Sequence, residues 1–411
     1  MRCDFDVVVI GAGPAGSTAA RVAAERGLSV LLVDKAKFPR HKPCAGGVTA
    51  KSLRELGFDL PESIVEHEIR GIKLVSSCGR SVVGKDSKRL GVTVKRSAFD
   101  SFLVTKAVEA GACFVDGVNL VGLESRVSGP RERYVAATNL GGFSARTVIG
   151  ADGATGNTAR LAGIRRRWSR WELGASLSAE VEFPEGPALS RDPELIELYL
   201  VPPLRAAFGW AFHRKNGLHV GIGATAMDAA TLRQAYGAHF GRVMEAMRLN
   251  LPSPRPKGHM LPMGGLRRRI AREGVLLVGD AAGFVDPFSG EGIYHAIRSG
   301  RIAAEVLAEN ITSGSLSKAA PEYTRRCYRE FMEEFRLSML LAALLGRKGN
   351  IPFAVVRANP SLVFLLADVL YEVGSYRRLF ACCMSQSPVL AARLVMAKLG
   401  LLRIDGGQVS R

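Results

Sequence analysis

Two uninterrupted apolar runs near the N-terminus predict buried strands of a parallel sheet. Residues 6–10 read DVVVI and residues 29–33 read SVLLV, and strands that are apolar throughout are typical of sheets covered on both faces. Ser17–Arg26 lies between the runs, is rich in alanine and has no interior Gly or Pro, so it predicts a helix that ends at Gly27. The first 34 residues therefore predict one βαβ unit.

The turn of this unit carries the pattern Gly-x-Gly-x-x-Gly at Gly11, Gly13 and Gly16, and Asp34 ends the second strand. Gly11 would permit the tight turn, and Gly13 would let a pyrophosphate approach the helix N-terminus. Gly16 would let the helix pack closely on the strand, and Asp34 would bind ribose hydroxyls. A strand before this pattern and a helix after it are the context that the motif requires. The unit therefore predicts a dinucleotide site, for either FAD or NAD.

Two later apolar runs indicate that the same sheet resumes further along the chain. Residues 146–149 lead into Gly150-Ala151-Asp152-Gly153, and residues 274–278 lead into Gly279-Asp280. Each run brings bare backbone and a carboxylate to the carboxyl edge of a sheet, where open α/β sheets bind ligands. A glycine-rich segment, 290–292, then precedes a helix, so the N-terminus of that helix is available to an electron-rich group.

The remaining segments predict a second sheet and a helical C-terminal region. Residues 172–225 alternate short strand-like runs with polar turns, which predicts an antiparallel sheet. From Tyr323 the pattern is helical, with apolar stretches at 337–345 and 351–370. Charged residues interrupt both stretches, so neither reaches the roughly 20 apolar residues of a membrane span. These helices could pack on the body of the protein, lie on anionic lipid or line a lipid channel.

Composition adds a strong positive charge to this picture. The 411 residues include 56 Lys and Arg against 38 Asp and Glu, for a net charge of +18, which favours a nucleic acid, an anionic membrane, a phosphorylated substrate or an acidic electron carrier. Arg165–Arg167 with Arg170, and Arg267–Arg269, are candidate contacts, although a solvated basic surface explains them equally. No nucleic-acid-binding motif accompanies Trp168 and Trp171, so we expect no nucleic acid partner.

The cysteines and the N-terminal sequence indicate the cellular compartment of the protein. The seven cysteines form neither a disulfide framework nor a metal-ligand spacing, so we expect reduced thiols and no metal. The N-terminus leads directly into a strand without room for a signal peptide, so we expect a cytoplasmic protein, with membrane association on the cytoplasmic face as an option.

Residues 36–47 form a basic loop that carries one thiol, because two prolines and a glycine pair exclude regular structure. Lys42 and His41 beside Cys44 would suit a reactive thiol. An inert cysteine is the alternative interpretation.

Several separated motifs occur in one order: the glycine turn with Asp34, Arg96-x-x-Phe99-Asp100, Gly150–Gly153, and Gly279-Asp280 before the glycine-rich helix start. Over about residues 5–310 the chain resembles FAD-dependent oxidoreductases of the p-hydroxybenzoate hydroxylase type.

Within that group, Lys42-Pro43-Cys44-Ala45-Gly46-Gly47 resembles the loop of the geranylgeranyl reductase family, whose members saturate isoprenoid double bonds. The aromatic stretch of that family is similar to Phe208-Gly209-Trp210-Ala211-Phe212-His213, with Phe208 where Tyr is usual and His213 where Pro is usual. Ala45 also replaces a usual Gly.

The resemblance implies an α/β protein (α+β overall) in which a discontinuous, Rossmann-like FAD-binding domain comprises residues 1–75, 92–165 and 270–315. An inserted antiparallel-sheet substrate domain comprises 76–91 and 166–269, and the C-terminal helical region comprises 316–411.

The resemblance also implies site residues. FAD would contact Gly11, Gly13, Ala15, Gly16, Asp34, Lys35, Cys44, Ala45, Gly46, Arg96, Asp152, Gly279, Asp280, Gly290, Gly292 and Ile293. Substrate would contact Phe208, Trp210 and Phe212. Reduced FAD would deliver a hydride from its N5 to one alkene carbon while an acid protonates the other. Cys44 is the first candidate for this proton step, and His41 and Tyr294 are further candidates.

Two alternatives to a prenyl-lipid reductase remain on sequence alone: an FAD-dependent aromatic monooxygenase and a non-catalytic prenyl-lipid carrier. The Trp-x-Trp-x-Ile-Pro stretch expected of a flavin-dependent halogenase is absent. The electron donor would be NADPH or a ferredoxin.

Overall fold

The computed structural model describes residues 4–128, 131–183, 192–201, 207–225, 227–263, 269–347, 351–371, 375–389, 392, 396 and 408–410. The chain forms two compact units, each assembled from three separate segments. The first unit comprises Met1–Lys42, Arg96–Leu173 and Met260–Phe335, and the second comprises Pro43–Lys95, Gly174–His259 and Arg336–Arg411.

The strands of the described residues, in chain order, are β1 (Asp4–Ile10), β2 (Val30–Asp34), β3 (Gly47–Thr49), β4 (Val65–Ile69), β5 (Gly71–Val75), β6 (Ser81–Lys85), β7 (Gly91–Val94), β8 (Cys113–Asp116), β9 (Leu120–Ser128), β10 (Arg131–Thr138), β11 (Gly141–Gly150), β12 (Leu173–Glu182), β13 (Leu195–Leu200), β14 (Ala207–Arg214), β15 (Gly217–Thr225), β16 (Lys257–Pro262), β17 (Ala271–Arg272), β18 (Val275–Leu277) and β19 (Gln408–Ser410).

The α-helices of the same residues are α1 (Pro14–Glu25), α2 (Ala50–Leu56), α3 (Arg96–Glu109), α4 (Thr158–Leu161), α5 (Ala229–Met247), α6 (Gly279–Ala282), α7 (Ile293–Thr312), α8 (Ala319–Arg347), α9 (Ile351–Ala358), α10 (Leu362–Tyr371) and α11 (Tyr376–Ser385). Short 3-10 helices occur at Arg170–Glu172 and Leu316–Lys318. No helix in these described ranges is both long and apolar enough to cross a membrane.

The first unit is built on the predicted parallel sheet, with strand order β17-β18-β11-β1-β2-β8. Strand β1 pairs in parallel with β2 and β11, and β11 pairs in parallel with β18, so the sheet resumes late in the chain as predicted. Val7, Val8 and Val9 have no exposed surface, because apolar clusters cover both faces of the sheet. The discontinuous Rossmann-like sheet is confirmed.

The second unit contains an eight-stranded sheet with the order β16-β12-β15-β14-β13-β5-β6-β19, and a small sheet of β3, β7 and β4. Strands β12, β15, β14 and β13 pair antiparallel, as the pattern of short runs predicts. Helix α5 packs on one face through Leu232, Tyr236 and Phe240. Near the C-terminus, β19 pairs in parallel with β6, whereas the sequence pattern predicts helix throughout this region.

The division into units differs from the predicted domain boundaries most extensively in residues 43–75, which the sequence places with the FAD-binding domain; residues 92–95 differ in the same way. Residues 166–173 and 260–269, predicted for the substrate domain, and 316–335, predicted for the C-terminal region, belong to the first unit. In the structure, β5 pairs in parallel with β13, so that Ile72 lies opposite Ile196, and this pairing joins residues 43–75 to the second unit. The two strands are far apart in sequence, and local hydrophobic patterns do not specify such pairings.

Two histidines are buried in the second unit without charge. His239 on α5 donates from Nε2 to the carbonyl oxygen of Trp210 at 3.2 Å, and its ring centroid lies 5.0 Å from that of Tyr199. His213 on β14 is 3% exposed. Burial lowers the pKa of each imidazole to about 4, because desolvation penalises the charged ring.

We expect acid to destabilise the protein between pH 6.5 and pH 4. An unfolded histidine binds its proton near pH 6.5, whereas the folded ones bind it only near pH 4, so the unfolded state takes up more protons in this interval. The free energy of unfolding should therefore fall by about 2 kcal/mol per histidine between pH 7 and pH 5. Urea denaturation at both pH values measures this, and the double variant His213→Gln, His239→Gln should show a smaller decrease. An unchanged decrease would contradict the assignment.

Candidate functional site

The glycine turn between β1 and α1 is built so that one of its glycines can contact a ligand. A Cβ on Gly11, whose φ is +105°, would lie 2.4 Å from the carbonyl oxygen of Ala151, and a Cβ on Gly16 would lie 1.8 Å from that of Gly11. Both positions therefore require glycine for internal packing. The nearest atom to a Cβ on Gly13 is Nη2 of Arg40, at 3.5 Å. Gly13 caps α1, so the space beside it suits a pyrophosphate at the helix N-terminus.

Asp34 ends β2 next to this turn. Its Oδ2 accepts a hydrogen bond from the backbone N–H of Ala12 at 2.8 Å, and its Oδ1 accepts one from Ala36 at 2.9 Å. Each carboxylate oxygen can accept one more hydrogen bond, for example from a ribose hydroxyl. Lys35, another predicted contact, is exposed.

Arg40 and Arg96 belong to a network with two carboxylates, one of which is fully buried. Arg96 donates from Nε and Nη2 to the two oxygens of Asp100, both at 2.8 Å. Nη2 of Arg40 lies 3.1 Å from the same carboxylate, and its Nε lies 3.6 Å from Asp34. The guanidinium predicted to contact FAD at position 96 is therefore engaged by Asp100. Arg40 was not among the predicted site residues, although the basic loop that carries it was recognised.

Asp152 follows β11 and has one unused oxygen. Its Oδ2 accepts from the backbone N–H and the hydroxyl of Thr158, each at 2.8 Å. Among the described residues its buried Oδ1 has no hydrogen-bond partner. Burial raises the pKa of the Asp152 carboxyl, because desolvation outweighs these hydrogen bonds. Asp152 therefore fixes the start of α4 and keeps capacity for one further donor.

Gly279 and Asp280 follow β18 at the same carboxyl edge. Gly279 has φ +54°, and its N–H donates to Oγ of Ser299 at 3.0 Å. Nζ of Lys42 lies 3.5 Å from Oδ2 of Asp280. Lys42 was predicted as a neighbour of Cys44 rather than as a partner of this carboxylate. The ion pair ties the basic loop to the second predicted acidic turn of the sheet.

The glycine-rich loop before α7 is shaped by Asp286. Its Oδ1 accepts from the N–H groups of Phe288 and Ser289, at 2.9 and 2.7 Å. Gly290 has φ +70°, and Gly292 caps the 20-residue helix α7 that begins at Ile293. The loop therefore leaves the positive end of a long helix available to an electron-rich group.

The first turn of α7 also carries Tyr294, one of the further candidates for the proton step. Tyr294 is partly buried, and its ring centroid lies 5.3 Å from that of His295, which packs edge-on against Phe335. His41, the other candidate, is exposed in the basic loop of the first unit.

In the second unit, the turn at Cys44-Ala45-Gly46 is anchored to two strands. The N–H of Gly46 donates to Sγ of Cys44 at 3.4 Å, and Nη2 of Arg214 donates to the carbonyl oxygen of Ala45 at 2.7 Å. Gly46 has φ +68°, and a Cβ there would lie 2.0 Å from the carbonyl oxygen of Val94. Only glycine fits at this position, so the place of the Cys44 thiol is set by β7 and β14.

Arg214 was not predicted as a site residue. It is 6% exposed, and its Nε and Nη1 have no hydrogen-bond partner among the described residues. Burial lowers the pKa of its guanidinium, because desolvation outweighs the attraction of the nearest acidic groups. The sequence signal for it was weak, since a lone basic residue at a strand end is usually solvated.

The three predicted substrate residues lie on one face of the second unit's sheet. Phe208, Trp210 and Phe212 alternate along β14, and successive even positions of a strand share a face. Two glycines of β15, Gly223 and Gly221, lie opposite the first two. The face is therefore aromatic along β14, and Gly223 and Gly221 place no side chain opposite Phe208 and Trp210.

Contacts around Trp210 and Phe212 fix this aromatic face. A Cβ on Gly221 would lie 2.2 Å from the Trp210 ring, so the indole lies across that glycine. Nε1 of Trp210 donates to Nδ1 of His219 at 3.1 Å. The ring of Phe212 reaches within 2.9 Å of a Cβ on Gly47, which follows the Cys44 turn. The segment that follows the predicted thiol therefore packs on one of the predicted aromatic residues within this unit.

Comparison with known proteins agrees with these features. Residues 4–331 match the family model described as FAD binding domain. A relative from Mycobacterium tuberculosis named menaquinone reductase is 33% identical over 354 residues, covering 82% of this chain and 84% of that protein. Digeranylgeranylglycerophospholipid reductase 1 from Methanothermobacter thermautotrophicus is 30% identical over 347 residues, covering 81% of this chain and 85% of that protein.

A solved structure has the same fold. The geranylgeranyl bacteriochlorophyll reductase-like protein from Thermoplasma acidophilum superposes with a TM-score of 0.80 and 23% identity, covering 96% of this chain and 99% of that one. The sequence matches establish FAD as the cofactor. The chain belongs to the geranylgeranyl reductase family of FAD-dependent oxidoreductases.

Proposed function

We propose that this protein saturates isoprenoid double bonds of a prenyl lipid, with FAD held by the first unit and the apolar chain bound by the second. The observation that carries the proposal is the aromatic face that Phe208, Trp210 and Phe212 form along β14, opposite Gly223 and Gly221 of β15. Such a face suits an unbranched or methyl-branched hydrocarbon better than a small polar aromatic substrate. Relatives named for prenylated phospholipid and menaquinone reduction support the same substrate class.

The residues proposed to hold FAD surround the carboxyl edge of the first unit's sheet. Gly13 would face the pyrophosphate, Asp34 the ribose, and Asp280 with the α7 N-terminus the polar groups nearer the flavin. When bound, FAD supplies the hydride for the reaction. Arg40 would hold Asp34 in place and keep the network around Asp100 electrically balanced.

The chain must also supply or position a proton. An unactivated alkene accepts hydride poorly, so protonation must lead or accompany the transfer in a dry environment. We assign this step to Cys44, whose sulfur accepts from Gly46 N–H and whose S–H hydrogen is left to point elsewhere. Arg214 holds the Cys44 turn through the carbonyl of Ala45 and acts as a positioning residue.

The electron donor is proposed to be NADPH or an acidic ferredoxin. The net charge of +18 favours an anionic donor of either kind, because steering attracts both a phosphate-bearing nucleotide and an acidic protein. The same charge favours a peripheral contact with an anionic membrane, where a prenyl lipid resides.

Mass spectrometry of lipids tests the reaction directly. Dithionite-reduced holoprotein incubated with geranylgeranyl phospholipid or menaquinone should yield products heavier by two hydrogens per bond reduced. No mass gain, with flavin reoxidised only by air, would contradict the reductase and favour a monooxygenase.

The role of Cys44 gives a second expectation. Cys44→Ala should retain FAD and lose about a hundredfold or more in reduction rate, because it lacks the acid near the alkene. The matched control is Cys78→Ala, which removes an exposed thiol of the same unit and should leave the rate unchanged. Full activity of Cys44→Ala would contradict the assignment of the proton step to Cys44 and leave His41 and Tyr294 as the candidates.

Gly13→Ala should separate ligand binding from folding. The backbone of Gly13 is extended and a Cβ there meets no atom closer than 3.5 Å, so the protein should fold normally. The methyl group would occupy the space next to the pyrophosphate and weaken FAD binding roughly tenfold or more. FAD titration of apoprotein measures this. Gly237→Ala, in open space on α5, is the control and should bind FAD normally; equal affinity of the two variants would contradict the site.

Gly221→Ala should weaken substrate binding without removing any functional side chain. Its Cβ would lie 2.2 Å from the Trp210 ring and 2.8 Å from Cβ of Ser178, so the indole must move. The KM for the prenyl lipid should rise roughly tenfold, as it should in Trp210→Ala, while FAD content stays at the wild-type level. Gly258→Ala, with 3.7 Å to the nearest atom, is the control. An unchanged KM in Gly221→Ala would contradict the proposal that the aromatic face binds substrate.

A further inference from the structure

The segment 165–172 of the first unit contains two tryptophans in opposite situations. Trp168 is fixed to the protein: its Nε1 donates to the carbonyl oxygen of Ala154 at 2.7 Å, and the guanidinium of Arg165 lies 3.4 Å from its ring centroid. Arg165 in turn donates to the carbonyl oxygen of Ala281 at 3.0 Å. Trp168 and Arg165 therefore form the base of this segment.

Trp171 lies on the 3-10 helix Arg170–Glu172 and is 82% exposed. The helix is held firmly, because Ser169 and Glu172 form a capping box and the carbonyl oxygen of Glu172 accepts from Met263 N–H at 2.7 Å. The indole is therefore presented to solvent by an ordered element of structure. Among the described residues, no other large hydrophobic side chain is as exposed as Trp171.

Three exposed arginines precede this indole in the same short segment: Arg166, Arg167 and Arg170. Glu172 is the acidic residue of the segment, and its Oε2 accepts from the N–H of Ser169 within the capping box. The surface formed by Arg166, Arg167, Arg170 and Trp171, called here the Arg-Trp surface, thus combines positive charge with one large amphipathic ring. The second predicted basic cluster does not enter the argument, because Arg267 and Arg268 lie outside the described residues.

We propose that the Arg-Trp surface docks the protein on an anionic lipid bilayer. Tryptophan partitions to the headgroup level, where its ring is partly buried and its N–H remains hydrated. Arginines beside it attract anionic headgroups, and the two contributions together give the stable peripheral binding that neither gives alone. An acidic protein would pair with the arginines but would need a fitted pocket for the indole, whereas a bilayer accepts it anywhere. The biological purpose of docking rests on the proposed function, since a prenyl lipid is reached from a membrane.

Flotation of holoprotein with phosphatidylcholine vesicles, with and without phosphatidylglycerol, tests this surface. Wild type should bind the anionic vesicles more strongly, and each Arg→Glu change at 166, 167 or 170 should weaken binding about fivefold or more. Trp171→Ala should weaken it by about fivefold or more as well. Matched controls elsewhere in the first unit are Arg329→Glu, an exposed arginine on α8, and Leu140→Ala, a side chain 62% exposed in a hairpin turn. Both controls should bind as wild type does.

Lipids with brominated acyl chains test independently whether the Trp171 indole enters the bilayer. Bound wild type should show tryptophan quenching by these lipids, because Trp171 enters the bilayer interface. Trp171→Phe should keep most of the binding and lose the quenching, whereas Trp168→Phe should keep both.

Binding of the Arg→Glu and Trp171→Ala variants at wild-type strength would overturn the proposal. If these variants bind vesicles normally but accept electrons poorly from an acidic ferredoxin, the surface serves that protein instead. The vesicles contain no prenyl lipid, and reduction of detergent-dispersed prenyl lipid is measured separately. Vesicle binding without reduction would contradict the proposed function alone, and reduction in detergent without vesicle binding would contradict the docking surface alone.

Discussion

The close contact between the glycine turn after β1 and the end of β11 sets the position of the ligand-binding groups in the first unit. Side chains are excluded at Gly11 and Gly16 because the carbonyl oxygens of Ala151 and Gly11 occupy their places. A Cβ on Gly300 would lie 2.3 Å from the carbonyl oxygen of Ala15, so α7 crosses α1 backbone to backbone. The N-terminal ends of α1 and α7 and the acidic ends of the parallel strands β2, β11 and β18 therefore share one edge of the sheet. A single methyl group at any of these glycines would separate them.

The second unit depends in a comparable way on β14. One face of this strand carries the aromatic side chains, and the other face packs on α5 through Ala211 and through Gly209, against which the His239 ring lies. Trp210 connects the two faces, because its indole lies over β15 while its carbonyl oxygen accepts from His239. The indole that is proposed to contact substrate is thus fixed from both sides of the sheet.

Local features of the chain were predictable and remote pairings were not. The βαβ unit could be read from residues 6–34 because a continuous apolar run, a glycine turn and an alanine-rich helix each have a short-range cause. The parallel pairing of β5 with β13, and of β19 with β6, joins segments whose sequences carry no mark of their partner. Arg40 and Arg214 escaped prediction for the same reason. Their partners Asp100 and Ala45 are distant in sequence, and only the folded chain brings each pair together.

The departure from the family at His213 has a structural consequence that the resemblance alone does not reveal. A proline at this position would remove a backbone donor from the centre of a sheet, where prolines are rare. With histidine, β14 pairs with β15 through to Arg214, which lies opposite Gly217. Position 213 is on the α5 side of the strand, so its ring does not alter the aromatic face. Its backbone instead extends the strand that carries Arg214, and Arg214 reaches the carbonyl of Ala45.

The change at 208 differs, because Phe208 is on the aromatic face itself and replaces a hydroxyl-bearing ring with a fully apolar one. Of the two substitutions, the one at 208 therefore bears on substrate contact, and the one at 213 bears on how the Cys44 turn is held.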